Sequence, residues 1–129
     1  LTIFNTKSPS PQPIKRNYPR AQLAIRVQYG GPNGRLKEGF TSILGGGGLF
    51  VETVHPLPVG SQLVLELVLS TQPEPIRIMG KVVWVRPEFG PKGVAPGMGI
   101  QFDQILEKDR QNIISLVTNL LMGRPETGM

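Results

Sequence analysis

Hydrophobic and polar positions alternate with a period of two along most of the chain, and the period changes only near the end. From Ala21, the residues Leu23, Ile25, Val27 and Tyr29 alternate with Gln22, Ala24, Arg26 and Gln28, which predicts a half-buried strand. Gly30-Gly31-Pro32-Asn33-Gly34 is a dense turn signal that stops it. A second strand is expected over Leu36–Leu44, and Leu49–Thr53 forms a third after the glycine run Gly45–Gly48. Leu63, Leu65, Leu67 and Leu69 share one face of a fourth. Ile76, Ile78, Gly80, Val82 and Trp84 share one face of a long fifth, and Met98, Ile100 and Phe102 one face of a sixth. After Asp103 the spacing becomes helical: Ile113, Leu116, Val117, Leu120 and Leu121 fall at i, i+3, i+4, i+7 and i+8. Glu107 and Asp109 suit the first turn of this helix, and Gly123 and Pro125 its end.

Short turns between consecutive strands favour antiparallel pairing. The fold class is therefore all-β with one helix: a six-stranded antiparallel β-barrel covered by a C-terminal amphipathic α-helix. The expected core contains Leu23, Ile25, Val27, Leu65, Leu67, Ile78, Val82, Trp84, Ile100 and Phe102, with the helix docked through Ile113, Leu116, Val117 and Leu120. Residues 1–14 read as a flexible tail rich in Pro and Ser, 15–122 as the domain, and 123–129 as a second tail.

Composition narrows the function. The 129 residues hold 16 Gly and 13 Pro, which suits turns and short strands and rules out a helical bundle as the main plan. With no Cys, thiol chemistry and disulfides are excluded, and with one His a histidine-based metal cluster or catalytic triad is not expected. No nucleophile–base pair is visible, and an enzyme is not expected. No apolar run is long enough to span a membrane, and Leu1–Lys7 lacks the layout of a signal peptide. The chain starts at Leu1 rather than Met, which reads as either a trimmed chain or a piece of a longer protein. The net charge of +5 is unevenly spread: residues 1–37 carry seven basic side chains and no acid, while the remainder carries seven basic and nine acidic. An anionic partner would be drawn to the first third. Nucleic acid is not expected, because only Tyr18 and Tyr29 interleave aromatic rings with those basic residues.

Two features could bind an anion. The run Gly45–Gly48 is either a backbone nest for phosphate or a tightly approached strand start; it is not a P-loop, since Leu49-Phe50 stand where Lys-Ser/Thr should follow. Arg16 and Arg20 form an Arg-x-x-x-Arg pair, and Pro19 biases the segment to an extended path. Four extended residues span roughly 13 Å, so two guanidinium groups can grip opposite sides of a small dianion. Arginine also pairs bidentately with phosphate and with the guanine edge. His55 reads as an exposed loop residue.

The order of these features resembles the PilZ domain, a bacterial regulatory module. Arg16-Asn17-Tyr18-Pro19-Arg20 before the first strand resembles the family's Arg-x-x-x-Arg, and Gly47-Gly48-Leu49-Phe50-Val51 its Gly-Gly-Leu-Phe-Val strand start. Leu57-Pro58-Val59-Gly60, Gly80-Lys81-Val82-Val83-Trp84-Val85 and Pro96-Gly97-Met98-Gly99-Ile100-Gln101-Phe102 resemble its later segments. The resemblance implies a six-stranded barrel with a terminal helix and a cytoplasmic bacterial protein. It implies cyclic di-GMP as ligand, with no metal, held by Arg16 and Arg20, with Lys15 adding positive field and Gly48 the surviving member of a second motif, Asp/Asn-x-Ser-x-x-Gly. Ile43 and Gly45 occupy the polar positions of that motif. The family's pilus-biogenesis branch has a Gly-rich, Ser-less stretch there and acts through protein partners. Two functions follow as expectations: a cyclic di-GMP receptor that relays to a protein effector, or an adaptor working by protein contact in type IV pilus biogenesis or motility. For the adaptor, the loop around Phe89 and the strand start near Phe50 are the expected exposed apolar surfaces.

Overall fold

The computed structural model describes residues 18–31 and 34–123. Lys15, Arg16, Pro32, Asn33 and the expected tails, apart from Gly123, lie outside the described residues. Seven strands form in chain order: β1 Arg20–Gln22, β2 Arg26–Gly30, β3 Lys37–Gly45, β4 Gly48–Glu52, β5 Gln62–Leu67, β6 Ile76–Arg86 and β7 Gly97–Gln104. Among the described residues one α-helix, α1 Glu107–Leu121, follows, and a short 3-10 turn, Pro91–Gly93, lies between β6 and β7. All pairings are antiparallel. The strands β3-β2-β5-β6-β7-β4 make a ring, closed by the β3–β4 pairing, and β1 is an additional short strand on β3. The expected six-stranded barrel with one helix is what forms.

The first expected strand is divided. β1 and β2 lie along the same side of β3, but their registers differ by one residue: Arg20 pairs with Gly45, whereas Arg26 pairs with Phe40. Thr41, only 1% exposed, spans the break. Its hydroxyl accepts from the Ile25 amide at 3.2 Å and donates to the Leu23 carbonyl at 2.8 Å. A buried backbone amide without a ladder partner is costly, and this side chain supplies one. The inward face still follows the alternation: Ile25, Val27 and Tyr29 are buried, and Leu23 packs partly buried against the same core.

Leu63, Leu65, Leu67, Leu69, Ile76, Ile78 and Val82 fill the barrel with Met98, Ile100 and Phe102. α1 packs on β1 and β3, burying Ile113, Leu116 and Val117, while Leu120 is partly buried and Leu121 is exposed at the C-terminal end.

Trp84 departs from its expected place in the core. It is 44% exposed, because β6 carries a register shift against β7 between Val82 and Trp84. One additional residue in a strand breaks the two-residue alternation. Val83 and Trp84 therefore both face out, and Val85 takes the inward position against the core. Outside the barrel the indole lies on Gly99, where a Cβ would overlap the ring, and stacks on Phe50 with centroids 5.0 Å apart. Phe50 is thereby covered to 4% exposure and offers no exposed strand-start surface, contrary to expectation. The Arg86 guanidinium closes the cluster, 4.9 Å from the Phe50 centroid and 5.3 Å from that of Trp84.

Candidate functional site

Of the residues singled out in the sequence, Arg20 and the glycine run Gly45–Gly48 come together at one corner of the barrel, where the chain enters β1, β3 turns into β4, and α1 begins; Lys15 and Arg16 lie outside the described residues. Pro19 lies just before β1, outside any regular element. Arg20 is the first residue of β1 and pairs with Gly45, the last of β3. Directly opposed residues of an antiparallel pair share a face, so the exposed Arg20 side chain runs across Gly45. A Cβ on Gly45 would lie 2.8 Å from Arg20 Cγ and 2.8 Å from the Pro19 carbonyl. The glycine is what lets the arginine stem lie flat on the sheet.

The next two glycines accommodate Tyr18. A Cβ on Gly46 would sit 2.9 Å from Ile114 Cγ1 and 3.0 Å from Tyr18 Cγ, and one on Gly47 would sit 3.2 Å from Tyr18 Cδ2. The Gly47 carbonyl accepts from the Phe102 amide at 3.0 Å. Gly48, the expected ligand-side glycine, faces a structural demand: a Cβ there would overlap the Ile100 carbonyl of β7. Of the two readings left open for this run, the tightly approached strand start is the one its surroundings require.

Arg110 completes the corner, and sequence reading missed it. It lies in the first turns of α1, with Nη1 donating to the Gly46 carbonyl at 2.9 Å and its guanidinium carbon 5.0 Å from the Tyr18 ring centroid. A signal was present: positions 110, 113, 114 and 117 lie on one side of a helix, so this arginine interrupts an apolar stripe.

Along the outer surface the register extends the corner into a row. Gly48 pairs with Gln101, and Gln101 with Lys81; both side chains are exposed. A parallel row runs from Gln22 through Ile43 and Phe50 to Gly99 and Trp84. Ile43 is half-buried on the face that carries Arg20, so an apolar group stands beside the arginine. The charge imbalance of the first third is partly offset by folding, since Arg26 pairs with Glu38 at 3.2 Å. His55 is exposed. Among the described residues no group of three His, Cys, Asp or Glu could hold a metal ion, and no helix is long and apolar enough to cross a membrane.

A small closed barrel with an exposed arginine over a glycine floor, and a helix packed beside it, has the make-up of a binding module. The PilZ domain family matches residues 14–119, and the chain belongs to that family. PilZ domains are regulatory binding modules. No curated protein sequence matches the chain. Among solved structures it is similar to the inhibitor of motility MotI (DgrA) of Bacillus subtilis, with a TM-score of 0.74 and 18% identity, covering 85% of this chain and 53% of MotI. The chain thus spans about half of MotI's length. It is also similar to the PilZ domain of YcgR from Escherichia coli, a structure with cyclic di-GMP, with a TM-score of 0.62 and 15% identity over 85% of this chain and 94% of that one. A third neighbour is the PilZ domain of CeSA from a cellulose-synthesizing bacterium, with a TM-score of 0.55 and 18% identity over 79% of this chain and 97% of that one. At these identities the likeness concerns the fold.

Proposed function

We propose that this chain is a cytoplasmic regulatory module that binds cyclic di-GMP and passes the signal to a protein effector of motility or pilus machinery. Arg16 and Arg20 hold the phosphates and guanine edges, Lys15 adds positive field, and Gly48 keeps the adjoining surface low. The observation that carries this reading is Arg20 at the head of β1, exposed and laid over Gly45. Family membership and the similarity to the cyclic di-GMP-bound YcgR domain support it. Ile43 offers no hydrogen bond to a base, so the affinity is expected to be weaker than in a site with a polar residue there.

Calorimetric titration of the purified protein with cyclic di-GMP tests the reading. Arg20→Ala should cost about 2–4 kcal/mol of binding free energy, as expected for a truncated charge-pair anchor. Arg20→Lys should cost nearly as much, because an ammonium neither pairs bidentately nor stacks on guanine. No heat of binding from the wild type at high protein concentration and low salt would refute the receptor reading. The adaptor function would then take its place, supported by Ile43 at the motif's polar position and by Phe89, which is 67% exposed in the β6–β7 loop.

A further inference from the structure

Arg110 is an unusual choice for the face of α1 that closes the barrel. Its neighbours on that face are apolar: Ile113 and Val117 are wholly buried, and Ile114 rests on Gly46. Only 19% of the Arg110 side chain is exposed. Its Nε lies 3.5 Å from a Glu107 carboxylate oxygen, yet that buried N–H has no hydrogen-bond partner. Placing a charged group there with an unmet donor carries a desolvation cost that an unbranched apolar side chain such as Met would avoid. A residue whose task was to seat the helix would be better apolar.

The guanidinium makes two contacts that an apolar side chain could not. It donates to the Gly46 carbonyl, and its central carbon lies over the Tyr18 ring. Tyr18 therefore lies against both Arg110 and the side-chain-free Gly46 and Gly47. Two residues further on, Arg20 begins β1 opposite Gly45. The path by which the arginine segment reaches the barrel is thus set by a helix residue some ninety positions away in sequence.

We propose that Arg110 is a positioning residue that clamps Tyr18 onto the glycine turn and so fixes how Arg20 is presented on the barrel surface. The clamp joins three elements: the segment leading into β1, the β3–β4 turn, and α1. Because coupling between two sites is reciprocal, a ligand that holds the arginine segment also tightens the docking of α1. That second half rests on the cyclic di-GMP reading; the clamp itself does not.

The test separates the two. Amide hydrogen exchange of Arg110→Met, without nucleotide, should show faster exchange over residues 18–22 and 46–48, with β5 and β6 unchanged, since local openings report local contacts. A helix-seating role would instead loosen α1 and the core together. In titrations with cyclic di-GMP, Arg110→Met and Tyr18→Leu should each weaken binding by about 5- to 20-fold, the range a partly buried cation–π contact supports. The double variant should lose less than the sum of the two single losses, because both remove the shared cation–π contact. Tyr18→Phe keeps the ring and should behave as wild type. If Arg110→Met fails to fold, Tyr18→Leu and Tyr18→Phe test the same contact from the segment's side. Unchanged exchange over 18–22 in both Arg110→Met and Tyr18→Leu overturns the clamp, whatever the binding data show. Faster local exchange together with a wild type that gives no heat of binding supports the clamp and refutes the receptor reading alone.

Discussion

Replacing Gly48 with alanine tests whether this glycine is required by the barrel itself. In the family motif it stands on the ligand side, and a ligand role alone would leave stability untouched. The geometry says otherwise. An added Cβ would overlap the Ile100 carbonyl oxygen and come within 3.4 Å of Gln101 Cα, both belonging to the backbone of β7. A backbone oxygen inside a ladder has no rotamer to change, so β4 and β7 must separate at the Gly48–Gln101 and Leu49–Ile100 pairs. Overpacking costs about 1–3 kcal/mol, and weakening one ladder hydrogen bond adds about 0.5–1.5 kcal/mol. We expect Gly48→Ala to destabilise by about 2–4 kcal/mol, measured by urea unfolding with the slope unchanged. Gly31→Ala is the control: a Cβ there meets nothing within 4 Å, so the change should be neutral or stabilise by about 0.4–1 kcal/mol. A Gly48→Ala midpoint equal to that of wild type would refute the close-approach argument and return Gly48 to a ligand role.

Three further outcomes are expected. Thr41→Val, nearly isosteric, strands the Ile25 amide and the Leu23 carbonyl, and should cost about 1–3 kcal/mol in the same unfolding assay; a change within 0.3 kcal/mol would show that the hydroxyl does not hold the β1–β2 break. Leu116→Ala removes a buried helix contact and should cost about 2–5 kcal/mol; an unchanged melting temperature would count against the docking face. Trp84, the sole tryptophan, should be quenched by iodide in the native state because its indole lies outside the barrel; emission untouched by iodide until unfolding would return it to the core.

The sequence by itself determined the barrel and its helix. Alternation at Ile25–Val27–Tyr29, Leu63–Leu65–Leu67 and Ile100–Phe102 records which side of each strand meets the core, because burial acts residue by residue with the pleat. The helical spacing of Ile113, Leu116 and Val117 is equally local. Trp84 was misplaced for the opposite reason: a bulge is a property of the β6–β7 pair, and it forms where Gly99 across the ladder leaves room for the indole. The candidate site divides in the same way. Arg20 and the glycine run were legible as motifs, since their spacing and order are local features of the chain. Their meeting was not, because it depends on the Arg20–Gly45 register and on α1 folding back to bring Arg110 to Tyr18 and Gly46. Contacts between residues so distant in sequence leave no periodic trace; their only local sign was a charge on the apolar stripe of the helix, and only the closed barrel shows what that charge meets.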